Sequence, residues 1–227
     1  MENRLYLLDT DELDDKDLFA FWYNRMPAYR RKKTDAYRLE RDKKLSLAAG
    51  ILILAGAAEN GAASRDISFG DNGKPYFSGR DDLFFNVSHS GKYCVCAFSD
   101  REVGVDIELI RSFEDSLARF VFSEDEIKLA RSEMFSSADE GMTRLWTVKE
   151  SAMKYLGTGL SLEPKKISTD GYSVSAEGVK GTDRMKLTYY SFGEYLCTVC
   201  SEYLPFTKEK ELSSLLYSPR RRGDYHK

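Results

Sequence analysis

The sequence predicts an α+β fold in which antiparallel strands pack against helices. Residues 92–98 and 103–109 each alternate apolar and polar side chains, and the turn formers at 99–102 between them predict a β-hairpin. Residues 145–155 instead repeat their apolar side chains at helical spacing. Hairpin strands together with amphipathic helices are typical of the α+β class.

One internal similarity is compatible with two related halves. Gly91–Cys96 and Gly193–Cys200 are alternating segments that both begin with glycine, a charged residue and tyrosine. A single match does not establish a repeat. The 227 residues are enough for one large domain or for two closely packed ones.

The composition is that of a soluble globular protein, with 42% hydrophobic and 31% charged residues. No apolar run reaches membrane-spanning length, and no N-terminal segment resembles a secretion signal. A net charge of −3 gives no global attraction for nucleic acid. We therefore expect a cytoplasmic protein with free thiols that binds neither nucleic acid nor membrane. The spacing of the four cysteines, Cys94, Cys96, Cys197 and Cys200, is compatible with a zinc site. Cys94 and Cys96 are better explained as small buried thiols of a strand.

The first elements in chain order are a strand at Leu5–Leu8 and helices over residues 18–58, interrupted at Met26–Pro27. The apolar run Leu45–Ala58 predicts a buried helix. Strands are predicted again after the helix at 145–155, over residues 165–174, 185–191 and 195–203.

Basic residues cluster at Arg30–Lys33 and at Arg41, Lys43 and Lys44. A solvated helix face is the common explanation for such clusters, and binding of an anionic small molecule is the alternative. Two central segments place polar side chains at turns. In the first, Gly73 and Pro75 form a loop that presents Lys74. In the second, an aromatic strand ends in Ser88 and His89. A loop lysine is usually only solvated, and a lone histidine is usually structural.

The segment Val103–Glu108 predicts a strand with one apolar and one acidic face. Asp106 and Glu108 point to the same side with Cα atoms about 6–7 Å apart, close enough for both carboxylates to bind one hard cation. Gly104 beside them leaves room for a ligand.

Two helices follow the acidic strand. Ser123 and Glu126 form a capping box at the start of the first. In the second, the buried stripe leaves Glu150 and Lys154 together on a different face. A surface ion pair is the ordinary explanation, but the acidic strand makes a functional pair the favoured one.

At these residues the sequence resembles the phosphopantetheinyl transferases of the long, Sfp-like class. The family pattern G-V-D-I-E followed by W-x-x-K-E-S-x-x-K is present at 104–108 and 146–154. G-K-P-Y at 73–76, F-N-V-S-H-S at 85–90 and F-S-x-x-E at 122–126 match further family motifs. The short class would need about half this length and an acidic motif near the N-terminus, so the mid-chain Asp106 favours the long class.

The resemblance implies two similar α+β halves related by a pseudo-twofold, each an antiparallel sheet packed with helices, with the active site in the cleft between them. We place the first half at 1–105, with the coenzyme A phosphate contacts, and the second at 106–215, with the metal and catalytic residues. A mobile basic tail is expected at 216–227.

The resemblance also implies roles for single residues. Mg²⁺ would be held by Asp106, Glu108 and Glu150. Glu150, or a water that it orients, would take the proton of the nucleophile, Lys154 would assist the departing phosphate, and Glu126 would reach the metal site. The implied coenzyme A contacts are Lys74, Ser88, His89, Arg30, Lys33, Lys44 and Lys149.

The implied activity is Mg²⁺-dependent transfer of the 4′-phosphopantetheinyl group from coenzyme A to a serine of an acyl, peptidyl or aryl carrier protein, with release of 3′,5′-ADP. Two alternatives remain. In the first, the chain is an inactive module that binds coenzyme A or carrier proteins. In the second, it is a Mg²⁺-dependent phosphohydrolase. We expect a monomer, because both halves of the cleft lie in one chain.

Overall fold

The computed structural model describes residues 3–63, 66–70, 72–202, 206 and 208–211, without the side chains of Leu160 and 208–211. The fold is α+β, as the sequence predicts. The helices are α1 (Lys16–Tyr23), α2 (Ala28–Asp35), α3 (Glu40–Glu59), α4 (Asp115–Val121), α5 (Glu124–Ala130) and α6 (Ala138–Leu156). The strands are β1 (Arg4–Asp9), β2 (Ile67–Phe69), β3 (Pro75–Phe77), β4 (Phe84–Ser90), β5 (Tyr93–Ser99), β6 (Val103–Leu109), β7 (Ile167–Thr169), β8 (Val174–Ala176), β9 (Lys186–Phe192), β10 (Tyr195–Ser201) and β11 (Lys208–Glu211). The tail predicted at 216–227 lies outside the described residues.

Two sheets organise the chain. The first has the strand order β11-β1-β5-β4 and the second the order β6-β10-β9. Both contain an antiparallel hairpin, β4–β5 or β9–β10, and the second strand of each hairpin pairs antiparallel with an earlier strand, β5 with β1 and β10 with β6. The pairing of β11 with β1 is parallel, which the sequence did not predict, and it returns the end of the chain to the first sheet. The domain boundary after residue 105 stays a prediction.

The two segments that are similar in sequence occupy equivalent hairpins. Gly91 begins the turn between β4 and β5, and Gly193 begins the turn between β9 and β10, with φ of 55° and 61°. Glycine adopts this left-handed conformation without the strain that other residues incur. Tyr93 and Tyr195, two residues further on, meet edge to face with ring centroids 4.9 Å apart. The sequence similarity therefore has a structural counterpart.

Each sheet has a helix on one face and shares a core with the other sheet on the opposite face. α3 packs on the first sheet around Tyr6, Cys96 and Phe98. α6 packs on the second sheet around Ala152 and Cys200. A third cluster joins the opposite faces of β1, β5, β6 and β10, and its buried members are Leu5, Leu7, Val95, Ala97, Val103, Val105, Ile107, Cys197, Val199 and Phe206. All four cysteines are buried free thiols, as expected.

The helical region 18–58 has one more break than the sequence indicated. α2 ends at Asp35 and α3 begins at Glu40, so the basic segment forms a helical hairpin instead of one long helix. The hairpin is stabilised where Thr34 and Ser46 share a buried hydrogen bond of 2.9 Å. Likewise, the strand predicted at 165–174 is a short hairpin of β7 and β8. Its turn is closed by the Asp170 carboxylate, which accepts hydrogen bonds from two backbone N–H groups.

The two sheets meet along a seam between β4 and β6. These edge strands run side by side in the same direction, and side chains of β4 bridge them. Asn86 Oδ1 accepts a hydrogen bond from the Val105 N–H at 3.0 Å, and Ser90 Oγ accepts one from the Leu109 N–H at 3.2 Å. Across the described parts of the chain, no helix combines the length and the apolar character needed to cross a membrane.

Candidate active site

The acidic strand β6 has the two faces that its sequence predicts. Val103, Val105 and Ile107 are fully buried in the core between the sheets. The alternate residues face α6 instead, and Gly104 permits a very close approach. A Cβ at position 104 would lie 2.0 Å from the Ser151 carbonyl oxygen. The room at Gly104 is therefore taken by α6, and the expectation of a ligand there was wrong.

Asp106 lies at the centre of the candidate site, where the two halves of the chain meet. Its side chain is only 4% exposed. Oδ1 accepts a hydrogen bond of 2.8 Å from Ser88 Oγ on β4 and one of 2.6 Å from Lys154 Nζ on α6. Lys154 Nζ also donates to Ser88 Oγ at 3.0 Å. Strand β4, strand β6 and helix α6 thus converge on one carboxylate.

Two further carboxylates flank this group. Glu108 Oε2 accepts a hydrogen bond of 2.9 Å from Ser90 Oγ, two residues along each strand from the pair of Ser88 and Asp106. Glu150 Oε2, on α6, lies 3.9 Å from Lys154 Nζ. The face shared by Glu150 and Lys154 is therefore directed at the acidic strand, as the sequence argument favoured over a surface ion pair.

The pKa values of this cluster reflect crowded charge. Burial raises the pKa of Glu108 above its ordinary value, and the Asp106 carboxylate raises it further. Burial also raises the pKa of Glu150, while the Lys154 ammonium opposes the rise. Burial acts to lower the pKa of Lys154, but the carboxylates of Asp106 and Glu150 outweigh it and the pKa is raised. The carboxylates repel one another, and a positive charge among them is stabilised.

The donor set fits a divalent cation. Asp106 Oδ2 is buried and has no hydrogen-bond partner among the described residues, which is a costly state for a carboxylate oxygen. The oxygens of Asp106, Glu108 and Glu150 are the hard ligands that Mg²⁺ prefers. Within the ranges that the structure describes, no three such side chains are already gathered closely enough to hold a metal ion. In the structure, the positive charge beside Asp106 is the ammonium of Lys154.

Cationic side chains lie next to the carboxylates, on the side of α2 and β4. Partial desolvation lowers the pKa of His89, and the ammonium groups of Lys154 and Lys33 lower it further. Partial desolvation and the neighbouring Arg30 likewise lower the pKa of Lys33. Arg30 is buried, with Nε lacking a hydrogen-bond partner among the described residues. Lys154, Lys33 and Arg30 thus lie close enough together to affect their neighbours, which makes this a region that attracts an anion, and His89 is present in it as a neutral donor.

Lys74 and Lys44 are engaged elsewhere. Lys74 Nζ donates to Glu102 Oε2 at 2.6 Å and to the Tyr155 carbonyl at 3.0 Å, which attaches its loop to the end of α6. A cleft of about 540 Å³ opens beside it. Lys44 Nζ pairs with Asp14 Oδ1 at 2.6 Å. Their roles as coenzyme contacts stay predictions.

Glu126 and Lys149 form a separate buried pair. Lys149 Nζ lies 2.9 Å from Glu126 Oε2, and the two side chains are 0% and 5% exposed. Burial lowers the pKa of Lys149, and Glu126 opposes this. The capping box at Ser123 is present as predicted. The structure does not bring this pair into contact with Asp106, so the predicted metal role of Glu126 and phosphate role of Lys149 gain no support from the geometry.

Sequence reasoning missed Asn86 and Ser90. Both side chains point from β4 to β6, on the same face as Ser88. The signal was present in the motif at 85–90, because alternate residues of a strand share a face and Ser88 had already been singled out.

The fold and the site together suggest a class of protein. Clustered carboxylates beside cationic side chains, at a seam between two sheets, suit an enzyme that acts on a phosphorylated substrate. Residues 102–200, which include both the acidic strand and α6, match the model of the 4′-phosphopantetheinyl transferase superfamily.

Several known proteins are similar to the chain. A 4′-phosphopantetheinyl transferase of Bacillus subtilis is 32% identical over 212 residues, which cover 88% of this chain and 94% of that protein. The 4′-phosphopantetheinyl transferase Sfp of Bacillus subtilis strain 168 is 29% identical over 150 residues, covering 63% and 67%. The 4′-phosphopantetheinyl transferase AcpT of Salmonella typhi is 40% identical over 95 residues, covering 40% and 50%. The chain belongs to the 4′-phosphopantetheinyl transferase family and is an enzyme of that class.

Proposed function

We propose that the chain transfers the 4′-phosphopantetheinyl group from coenzyme A to a serine of an acyl, peptidyl or aryl carrier protein and releases 3′,5′-ADP. Family membership supports the type of transfer. The observation that carries the finer proposal is the convergence of Ser88, Asp106 and Lys154, with a buried carboxylate oxygen of Asp106 that has no hydrogen-bond partner among the described residues. Such an arrangement suits a cation and a phosphate at one point.

The phosphates of coenzyme A would lie between the cationic group and the carboxylates. Lys33 and Arg30 offer positive charge to the 3′-phosphate and His89, whose pKa is lowered, offers a neutral ring N–H; the group needs several partners because it carries two negative charges. Ser88 and Lys154 face the pyrophosphate, where their donors neutralise charge that develops on the leaving group.

Mg²⁺ would be held by Asp106, Glu108 and Glu150, where it would neutralise the pyrophosphate of the substrate. Glu150 is the residue of this chain that accepts the proton of the carrier serine, directly or through an ordered water. Its nearest described cation is Lys154 at 3.9 Å, longer than a hydrogen bond, so a carboxylate oxygen that does not hold the metal remains available for the incoming hydroxyl. Lys154 donates toward the departing phosphate.

Mass spectrometry of apo-carrier proteins after incubation with coenzyme A and Mg²⁺ tests the proposal. We expect a mass increase of one phosphopantetheinyl group, and none on a carrier whose acceptor serine is replaced by alanine. Omitting the metal should remove the signal. Release of nucleotide from coenzyme A without any acceptor would instead identify a phosphohydrolase, and coenzyme A binding without either reaction would identify an inactive binding module.

A further inference from the structure

The buried pair of Glu126 and Lys149 connects three separate segments of the chain. Lys149 Nζ donates to the Pro164 carbonyl at 3.0 Å, to the Ile167 carbonyl and to Glu126 Oε2. An ammonium has three N–H groups, so all three are in use. The side chain is 0% exposed and also lies over the Phe122 ring, 5.7 Å from its centroid. No donor is left for a phosphate, which separates Lys149 from the coenzyme contacts.

Glu126 completes the connection. Oε2 accepts a hydrogen bond of 2.8 Å from the Ser123 N–H, and Oε1 accepts one of 3.2 Å from the Thr169 N–H. The carboxylate therefore holds the start of α5 and strand β7 in place, while Lys149 joins both to α6. Each bond is directional, so together they restrain the rotation of α6 about its own axis more strictly than apolar packing would.

The position of Lys149 in α6 gives this restraint a functional consequence. Glu150 is the next residue, about 100° around the helix, and Lys154 follows one turn after Glu150 on the same face. Fixing Lys149 on the side of α5 thus fixes the direction in which Glu150 and Lys154 leave the helix toward β6. Among the described residues Glu150 makes no hydrogen bond that would hold it, and its ion pair with Lys154 is 3.9 Å long.

We propose that Glu126 and Lys149 are positioning residues, which hold α6 at the rotation that presents Glu150 and Lys154 to Asp106. The inference rests on the proposed function of that site. Stability alone does not explain the pair, because buried ion pairs are often no more stabilising than apolar residues of similar size. The pair acts through Glu150 and Lys154 and touches neither the coenzyme nor the carrier protein.

The test compares Lys149→Met, Glu126→Gln and the double variant with the unchanged chain. Lys128→Met is the matched control, because Lys128 makes an exposed pair with Asp125 on the same helix as Glu126. The measurements are urea unfolding, calorimetric binding of coenzyme A, and kcat for carrier modification per folded molecule. We expect each single variant to unfold at lower urea, because it leaves one buried charge unpaired, and the double variant to regain most of that loss.

The decisive result is the behaviour of the double variant. Its kcat should stay at least about tenfold below that of the unchanged chain, while its Kd for coenzyme A stays within about threefold and the control retains both values. Recovery of full kcat, or failure of the double variant to fold, would assign the pair to the fold alone and overturn the proposal. A large rise in the Kd for coenzyme A, together with a weaker dependence of that Kd on salt, would also overturn the proposal, because it would make Lys149 a phosphate contact. Failure of the proposed function is separate, since the unchanged chain would then modify no carrier.

Discussion

Helices α3 and α6 occupy equivalent places on the two sheets, each on the outer face, but only α6 buries a charged side chain among its apolar residues. Every residue of α3 from Leu45 to Ala57 is buried, and none of them is charged. The buried residues of α6 include Lys149 together with three hydroxyl side chains, Thr143, Thr147 and Ser151. The first half is held by apolar packing, whereas the second half holds charges that must be paired.

This difference assigns separate tasks to the two halves. The two sheets have an equivalent strand order, so the order alone does not determine which half carries the chemistry. The side chains distinguish them, because β1 is apolar where β6 carries Asp106 and Glu108. Changes in α3 should therefore affect stability without affecting rate. Changes around α6 and β6 should affect rate even where stability is kept.

The largest expected effect is that of Asp106→Asn, paired with Leu52→Ala in α3. Asp106→Asn should abolish turnover, because the site loses the charge on which the metal and Lys154 both depend. Leu52 is fully buried, so Leu52→Ala should lower the free energy of unfolding by about 2–5 kcal/mol and leave the kcat of folded protein unchanged. Carrier-modification kinetics and urea unfolding measure the two effects. Retained turnover in Asp106→Asn would remove the distinction between the halves.

The next effect is that of Lys154→Ala. We expect kcat to fall by roughly 10²–10⁴, the span usual for a positioned proton donor, while coenzyme A binding largely persists. Lys128→Ala, which removes an exposed ion pair on α5, should leave kcat unchanged and change stability by less than about 0.5 kcal/mol. If Lys154→Ala behaves like this control in a comparison of kcat, Lys154 has no part in the mechanism.

A matched pair of glycines separates packing from positioning. A Cβ at Gly56 of α3 would meet the Phe98 ring at 2.1 Å, and one at Gly104 would meet the backbone of α6 at 2.0 Å. Both alanine variants should lose about 1–3 kcal/mol of stability through overpacking. Only Gly104→Ala should also lower kcat, by up to about 10²-fold, because it displaces the turn that carries Lys154. Equal kcat values per folded molecule in the two variants would contradict this.

The smallest effect concerns the cationic group. Lys33→Ala should weaken coenzyme A binding about fivefold, the equivalent of about 1 kcal/mol, and should weaken dephospho-coenzyme A binding less because the 3′-phosphate is missing. Lys128→Ala breaks only the exposed pair with Asp125 and should leave both affinities unchanged. Calorimetric titrations at two salt concentrations measure the difference, which should shrink as salt rises. Equal losses for the Lys33 and Lys128 variants would mean that Lys33 does not bind the 3′-phosphate specifically.

Local patterns allowed the centre of the site to be predicted. The two faces of β6 follow from strict alternation, and the shared face of Glu150 and Lys154 follows from helical spacing. Both periodicities belong to a single element, so no knowledge of its neighbours is needed. The resemblance to the family gave Ser88 and Asp106 separate roles, and the hydrogen bond between them was not predicted.

Contacts between distant segments could not be predicted in this way. Lys149 and Glu126 looked like site residues because they stand inside family motifs, but their partners come from the loop at 164–167 and from β7. Periodicity places a side chain on a face of its helix and does not say which loop covers that face. The same applies to the ion pairs of Lys44 and Lys74, and to the parallel pairing of β11 with β1.

The seam between β4 and β6 has a consequence for hydrogen exchange. A backbone ladder protects its amides cooperatively, whereas the amides of Val105 and Leu109 are each held on the seam by a single side-chain oxygen, from Asn86 and Ser90. Small separations of the two halves break such single bonds while the ladders within each sheet stay closed. Native-state exchange should therefore release these two amides at a lower opening free energy than those of β5 or β10. The seam that brings the candidate catalytic groups together is therefore expected to open more easily than the ladders of the two sheets.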